Sequence, residues 1–347
     1  MNLRSDSGLP EAPAPDRKSK GQHVSELLTL RMQLNTFFSG PQAWFFLAAE
    51  RGYLRQEGLA IDFVEGDTAA NTVPKMAAGG FDIGYGDINA LIEHVGQGRP
   101  NAPLAVHASY NASPYTIAVA ASGPLLTPQD LAGKRLLSHP KDAALLLFPE
   151  FCHLTGLRAA DVAIEISSEP HSILVPRLLG GEFDGLFGFV NTLVAASIDA
   201  GTDPQALCHL DFNRFVPDLY GMALMVTHEL AQARPEVVRA LLRALNRGLV
   251  DSVADPRAAV AALARHAPRL TMEANLQRLT GTLQLEMAHP EGARLGIGEL
   301  DTDRFERGIE LIARVKRLPH RPRAADLFDN RFLPAASERL RSLARAA

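Results

Sequence analysis

The chain reads as an α/β protein built from two similar lobes, and three features of its text predict this. Strand-like and helix-like segments alternate with short connections through the first and middle thirds, the pattern of a sheet covered on both faces. A glycine-paired phrase occurs twice, GGFDIGYGDINA at 79–90 and GGEFDGLFGFVNT at 180–192. Beyond Pro235 helical periodicity dominates, as expected of helices packed onto a core already built.

Taken in order, LLTLRMQL at 27–34 predicts a strand, NTFFSGPQ a loop and AWFFLAAERGYLRQEG one helix ending at Gly58. LAIDFVEG alternates as a second strand, DTAANTVPKMAAGG makes a helix running into the glycine pair, and the first repeated phrase gives a third strand feeding the helix INALIEHVGQG. PLAVHASY and TIAVAASG are strands on either side of the turn NASP. Thr127 as N-cap with Pro128 after it opens a short helix before the strand KRLLS. DAALLLFPEFCHLTGL is a helix, VAIEISS a strand, HSILVPRLLGG a helix ending in the second glycine pair, and FDGLFGFVN the strand after it. Each repeated phrase thus holds the same place in a βαβαβ unit, which makes two lobes, with crossovers near 109–114 and 216–222. The boundaries expected are a disordered leader at 1–25, lobe 1 at 26–112 plus 222–347, and lobe 2 at 113–221.

Composition narrows the function. The 347 residues suffice for about two domains, 46% hydrophobic and 21% charged is ordinary for a globular protein, and a net charge of -4 gives no basic footprint for nucleic acid. No stretch reaches the roughly 18 apolar residues of a membrane span. The N-terminal text is polar and Pro-rich, without the apolar run of a secretory signal. Cys152 and Cys208 have neither CxxC partners nor metal-ligand spacing, and the eleven histidines form no HxxxH pair, so no metal, cofactor or disulfide framework is expected. Nucleophile-elbow, Walker A and GxGxxG signatures are also missing from the text.

The helix A-x-E-x-G-Y-x-x-x-E-G-L from Ala48 to Leu59, the G-D-T turn at 66–68, A-G-G-F-D-I-G at 78–84 and LTPQDLAGKR at 126–135 together resemble substrate-binding proteins of ABC importers. The resemblance is to the NMT1/THI5-like and SsuA-like branch, receptors for thiamine-precursor pyrimidines, sulfonates, taurine and nitrate, and covers roughly residues 27 to 335. It implies a periplasmic-binding-protein type II fold, two mixed sheets flanked by helices with a two-strand hinge, closing on a solute without catalysis. It also implies a periplasmic monomer that meets an ABC permease; the leader shows no export segment, which leaves a cytoplasmic location open. The branch includes pyrimidine synthases that use a cysteine-rich cluster and a reactive lysine. Here there are two distant cysteines, and Lys75 is the one lysine near the first-lobe cleft.

Ligands of open α/β sheets sit beyond the carboxyl ends of the strands. Candidate contacts are therefore Asn35, Phe37, Phe38, Ser39, Gln42 and Trp44 after the first strand, and Asp67, Thr68 and Asn71 after the second. Tyr85, Asp87 and Asn89 come from the first repeated phrase, Phe187, Phe189 and Asn191 from the second, with Ser138, His139 and Tyr220 beside them. Asp67, Thr68 and Asp87 are also simple helix caps by position, and Trp44 is equally a core residue. Aromatics, amides and one carboxylate, with no arginine or lysine placed in the cleft, favour a flat hydrogen-bonding heterocycle such as an aminopyrimidine. Sulfonates and aromatic carboxylates remain alternatives.

Overall fold

A computed structural model describes residues 27–140, 142–341 and 343; the expected leader lies outside them. The strands are β1 Leu28–Gln33, β2 Leu59–Val64, β3 Ile83–Asp87, β4 Leu104–Ala108, β5 Tyr115–Ala120, β6 Arg135–Ser138, β7 Ala163–Ile166, β8 Gly185–Phe189, β9 Leu207–Asp211 and β10 Met222–Val226. They form two five-stranded sheets, ordered β2-β1-β3-β10-β4 and β7-β6-β8-β5-β9. Both sheets are mixed. In the first, β10 runs antiparallel to β3 and β4; in the second, β5 runs antiparallel to β8 and β9. The chain crosses from one sheet to the other after β4 and returns after β9, so the two sheets are the cores of two lobes. All five residues of β3, of β4 and of β10 are buried, as in strands covered on both faces.

Helices α1 Ala43–Glu50 and α2 Tyr53–Gln56 replace the single helix expected over 43–58. Gly52 between them takes φ 74°, a left-handed conformation that ends one helix and starts the next. The first six residues of α1, AWFFLA, are all buried, because the helix is enclosed by α9 Pro235–Ala254 and α10 Pro256–Ala264. The remaining helices are α3 Thr72–Ala77, α4 Ile88–Gly96, α5 Ala143–Thr155, α6 His171–Leu179, α7 Val190–Asp199, α8 His228–Ala233, α11 Met272–Gly281, α12 Pro290–Leu295, α13 Thr302–Val315 and the single turn α14 Ala324–Leu327. Thr127 caps a 3-10 turn at Pro128–Leu131 through a capping box with Asp130. Among the described residues no helix is long and apolar enough to cross a membrane, and no cluster of three His, Cys, Asp or Glu could hold a metal. Cys152 is buried and Cys208 half-buried, both free.

The glycines inside the repeated phrases are a packing device. A Cβ on Gly84 would lie 2.2 Å from Met76 Sδ and one on Gly86 2.5 Å from Thr72 Cβ, so both let α3 press onto β3. Gly185 does the same for Leu136, whose Cδ2 a Cβ would meet at 2.7 Å.

Candidate functional site

The two repeated phrases meet at the crossovers. Ile88, the first residue of α4, donates its amide to Gly221 O at 3.0 Å, and Val190, the first of α7, donates to Pro114 O at 3.1 Å. The crossovers are paired with each other, Gly221 N donating to Tyr110 O at 3.1 Å and Tyr110 N to Met222 O at 3.0 Å. Arg304 of α13 fastens both. Its guanidinium donates to Asn111 O at 2.6 Å in one crossover and to Leu219 O and Pro217 O at 3.2 and 3.0 Å in the other. It also pairs with the buried carboxylate of Glu291 on α12 at 3.0 Å and lies over the Tyr220 ring, 4.2 Å from its centroid. Tyr220 donates its hydroxyl to the same Glu291 at 2.5 Å.

Between the lobes runs α11. It packs on the Gly40–Gln42 turn of the first lobe and on α7 of the second. Gly40 N donates to Asn275 Oδ1 at 2.8 Å, and a Cβ on Gly40 would fall 2.1 Å from Asn275 O. At the other end a Cβ on Gly281 would fall 2.1 Å from Asn191 Oδ1. A π-helical turn, Thr282–Glu286, follows; such turns re-aim side chains and recur at functional sites. Asn191 of the second lobe donates to Glu286 Oε1 at 2.7 Å, and the backbone oxygen of Glu286 accepts the crossover amide of Ala112 at 3.0 Å. Glu286 therefore joins α11, the hinge and lobe 2. Burial pushes its carboxyl up to about 7, against the hydrogen bonds from Thr282 and Asn191 and the charge of Arg278.

Arg278 lies one α11 turn before Thr282 and two before Glu286, on the same helix face. Among the described residues its guanidinium makes no hydrogen bond and no ion pair, and its Nε is fully enclosed. Its Cζ is 5.9 Å from the Phe37 ring centroid. Burial works against its charge, opposed by Tyr110, Glu286 and Asp199, yet a guanidinium stays protonated at any physiological pH. Trp44 Nε1 and Tyr85 OH are likewise buried without partners. The rings of Trp44 and Tyr85, and of Tyr85 and Tyr110, meet edge to face at 6.3 Å. His107, 5.9 Å from Trp44, is held down at about 4 by burial and the Arg339 charge, so it is neutral at pH 7. These three unpaired groups, an indole N–H, a phenol O–H and a guanidinium, can each donate a hydrogen bond. What complements them is an acceptor-rich or anionic group.

The residues expected to face a ligand divide into groups. Asn35, Ser39 and Gln42 form a closed network, Gln42 Nε2 donating to Asn35 Oδ1 at 2.6 Å and Ser39 N to Gln42 Oε1 at 3.1 Å. Asp67 is exposed and held by Lys75 at 3.1 Å, Thr68 N and Asn71, while the Thr68 hydroxyl is buried and unpartnered. Asp87, expected either to face a ligand or to cap a helix, is the cap. It N-caps α4 through Asn89 N at 2.9 Å and accepts Tyr115 OH at 2.6 Å, so both its oxygens are engaged. Asn89 in turn donates to Tyr220 O at 2.8 Å. Phe187, expected as a ligand contact, is a core residue, fully buried and edge-on to Phe148 at 5.2 Å. Phe189 is half-buried against Tyr115 at 5.5 Å. Ser138 is buried and donates to His139 O at 3.3 Å, and the His139 ring lies 4.1 Å from His171. Tyr220 is taken up by Glu291, and Phe37 is 59% exposed.

The sequence reading named no arginine near the cleft and passed over Arg278, Thr282 and Glu286, which the α11 segment sets between the Gly40–Gln42 turn and α7. The signal was present as a polar stripe at four-residue spacing in MEANLQRLTGTLQLEM. It lay in the helical third, which the text marks as outer packing.

The family model described as NMT1/THI5 like matches residues 42–259. The chain belongs to the NMT1/THI5-like family. A curated protein similar to this chain is the 4-amino-5-hydroxymethyl-2-methylpyrimidine phosphate synthase of Schizosaccharomyces pombe. It is 22% identical over 222 residues, which are 61% of this chain and 62% of that protein, so the chain spans about three-fifths of the relative's length. Among solved structures, the periplasmic aliphatic sulphonate binding protein SsuA from Escherichia coli superposes with a TM-score of 0.61 at 16% identity, over 84% of this chain and 89% of that one. The desulfurization enzyme DSZB superposes at 0.57 and 16% identity, over 89% and 99%. These likenesses establish the two-lobed periplasmic-binding-protein fold for this NMT1/THI5-like chain, a fold that carries both a receptor and an enzyme.

Proposed function

We propose that this protein is the solute-binding receptor of an ABC importer, delivering to a membrane permease a small solute whose anionic group is held by Arg278. The observation that carries the reading is the unpaired guanidinium on α11, the helix between the lobes, together with two further buried donors without partners, Trp44 Nε1 and Tyr85 OH. Leaving such groups buried without partners is costly, and a bound carboxylate, sulfonate or phosphate would offset that cost with charge-assisted hydrogen bonds. A ligand touching both Arg278 and the hinge-side tyrosines draws the lobes together, which is how a receptor signals occupancy to its permease.

A neutral aminopyrimidine has less support, because Asp87 is engaged by Tyr115 and Asn89. A pyrimidine carrying a phosphate or carboxylate meets the donor set. Periplasmic location and the monomeric state belong to the same proposal. The test is a thermal-shift panel of alkyl and aryl sulfonates, carboxylates and pyrimidines, neutral and phosphorylated. A ligand at 100 times its Kd stabilises by about 2.7 kcal/mol, and only the anionic members are expected to act. A shift from neutral pyrimidines alone refutes the anion assignment.

A second reading, a pyrimidine-synthesis enzyme on the same fold, is favoured by Glu286, poised by burial at about 7 where a general acid or base works best. Lys75 gives it no support, being tied to Asp67 outside the enclosed cluster. Product formation detected by mass spectrometry after incubation with a tight ligand would favour the enzyme; recovery of the ligand intact favours the receptor.

A further inference from the structure

We infer that solute binding is coupled to proton uptake by His171 of the second lobe, so that the receptor holds an anion more tightly in acid than at neutral pH; this rests on the assignment of the anion to Arg278.

Two imidazoles meet at the carboxyl end of the second sheet. His139 directly follows β6 and His171 is the first residue of α6, so both stand where strand ends give way to helices. Their ring centroids are 4.1 Å apart. His139 Nε2 lies 2.7 Å from Glu169 O, and a carbonyl oxygen only accepts. The proton of the neutral His139 ring is therefore on Nε2. His171 Nε2, by contrast, is enclosed and has no partner among the described residues. Gly188 of β8 makes room for it, since a Cβ there would stand 3.2 Å from that nitrogen. The second lobe thus holds a titratable nitrogen against its sheet with nothing to bond.

Charges reach this pair from several elements. Asp142, the N-cap of α5, faces His139. Glu169, just before α6, is paired with Arg177 of that helix, which also holds Glu182 at 2.8 Å. Arg278 of α11 acts on His171 from the side of the proposed anion. Burial, the neighbouring His139 and the Arg278 charge hold His171 down at about 4, against the Phe187 backbone, which favours the imidazolium. In the unliganded protein His171 is therefore neutral at pH 7. An anion seated on Arg278 neutralises the opposing cation, and protonation of His171 becomes easier. The coupling is reciprocal, so the protonated protein binds the anion more tightly than the neutral one. A rise of about 2 pKa units on binding tightens the solute on the order of tenfold between pH 7 and pH 5. Glu286 is pushed up to about 7 and already holds its proton at pH 5.5, which separates its titration from that of His171.

The probe is ethanesulfonate or naphthalene-2-sulfonate, whichever binds tighter, because a sulfonate stays ionised across this range. It is titrated calorimetrically into the full chain at pH 5.5 in two buffers of different ionisation enthalpy, which counts the protons taken up. Affinities are then measured from pH 5 to pH 7 for wild type, His171→Gln, His139→Gln and Arg278→Gln, with melting curves to verify folding. Wild type should take up about 0.7 proton per bound sulfonate at pH 5.5, and its Kd should fall on the order of tenfold from pH 7 to pH 5. His171→Gln should take up less than about 0.2 proton and keep its Kd within about twofold over that range. His139→Gln, which removes a neighbour opposing the charge, should move the greatest uptake to higher pH. A wild-type count below about 0.2 proton overturns the coupling and leaves an Arg278-dependent receptor standing, and this result needs no variant. Uptake that persists in His171→Gln, or vanishes in His139→Gln alone, places the proton on Asp142 or His139 and overturns the assignment to His171. No binding of either sulfonate, or binding that Arg278→Gln leaves unchanged, removes the anion assignment and this inference with it.

Discussion

Glu286 makes the stability of this protein fall as pH rises through the range where most carboxylates are already ionised. Its carboxyl has an ordinary pKa of 4.5 and is pushed to about 7 by burial between α11, the hinge and Asn191. The folded state therefore keeps a proton that the unfolded chain releases above about 4.5. Where the native state binds more protons, unfolding free energy declines with pH. The contribution is fully present below about 4.5 and is gone above about 7. A displacement of about 2.5 pKa units at 1.36 kcal/mol per unit gives on the order of 3 kcal/mol, most of it between pH 5 and 8. Other groups titrate in the same window, His107 and His171 being held down by burial and Asp87 and Asp142 raised by it. The comparison must therefore be between wild type and Glu286→Gln, which keeps an acceptor for Asn191 and removes the proton. Urea denaturation at pH 5, 6, 7 and 8 should show wild type losing about 2 to 3 kcal/mol relative to the variant across that range. Parallel pH profiles would refute the reasoning, because they would mean that the Glu286 carboxyl ionises alike in the folded and unfolded chain.

Two further outcomes follow from the same geometry. Arg304→Leu strands the buried Glu291 carboxylate and frees both crossovers, so it should cost about 3–5 kcal/mol in urea denaturation, most of it recovered in Arg304→Leu with Glu291→Gln. Gly281→Ala puts a Cβ 2.1 Å from Asn191 Oδ1 and should hold the lobes apart, raising the radius of gyration in solution scattering and weakening solute binding; Asn191→Ala should relieve the scattering change.

The sheets were legible because their signal is local. Apolar runs such as MALMV and alternating ones such as LAIDFV bounded by glycine identify strands without reference to anything distant. The repetition of the glycine phrase reported the two-lobe plan for a related reason, since each copy is a strand running into a helix, β3 into α4 and β8 into α7, with a glycine where a neighbour presses close, Met76 at Gly84 and Leu136 at Gly185. One failure was local: Gly52 broke the 43–58 helix because its left-handed φ is allowed to glycine and costly to other residues. The others were non-local. Asp87 looked like a ligand acceptor in the text, but its partner Tyr115 lies in the other sheet, 28 residues on. Arg278 and Glu286 escaped notice because their position depends on α11 returning from the C-terminal third to pack on both the Gly40–Gln42 turn and α7. No local pattern announces such a return.

The central claim is that Arg278 anchors an anion in the interlobe cleft. Its most direct measurement is the affinity of wild type and Arg278→Gln for the tightest anion found in the thermal-shift panel, by isothermal titration at low salt. Losing a charge-assisted pair costs about 1.5–3 kcal/mol or more, so the variant should bind at least tenfold more weakly while melting at the same temperature or higher, because an unpaired buried charge has been removed. Unchanged affinity in a folded Arg278→Gln protein would contradict the claim.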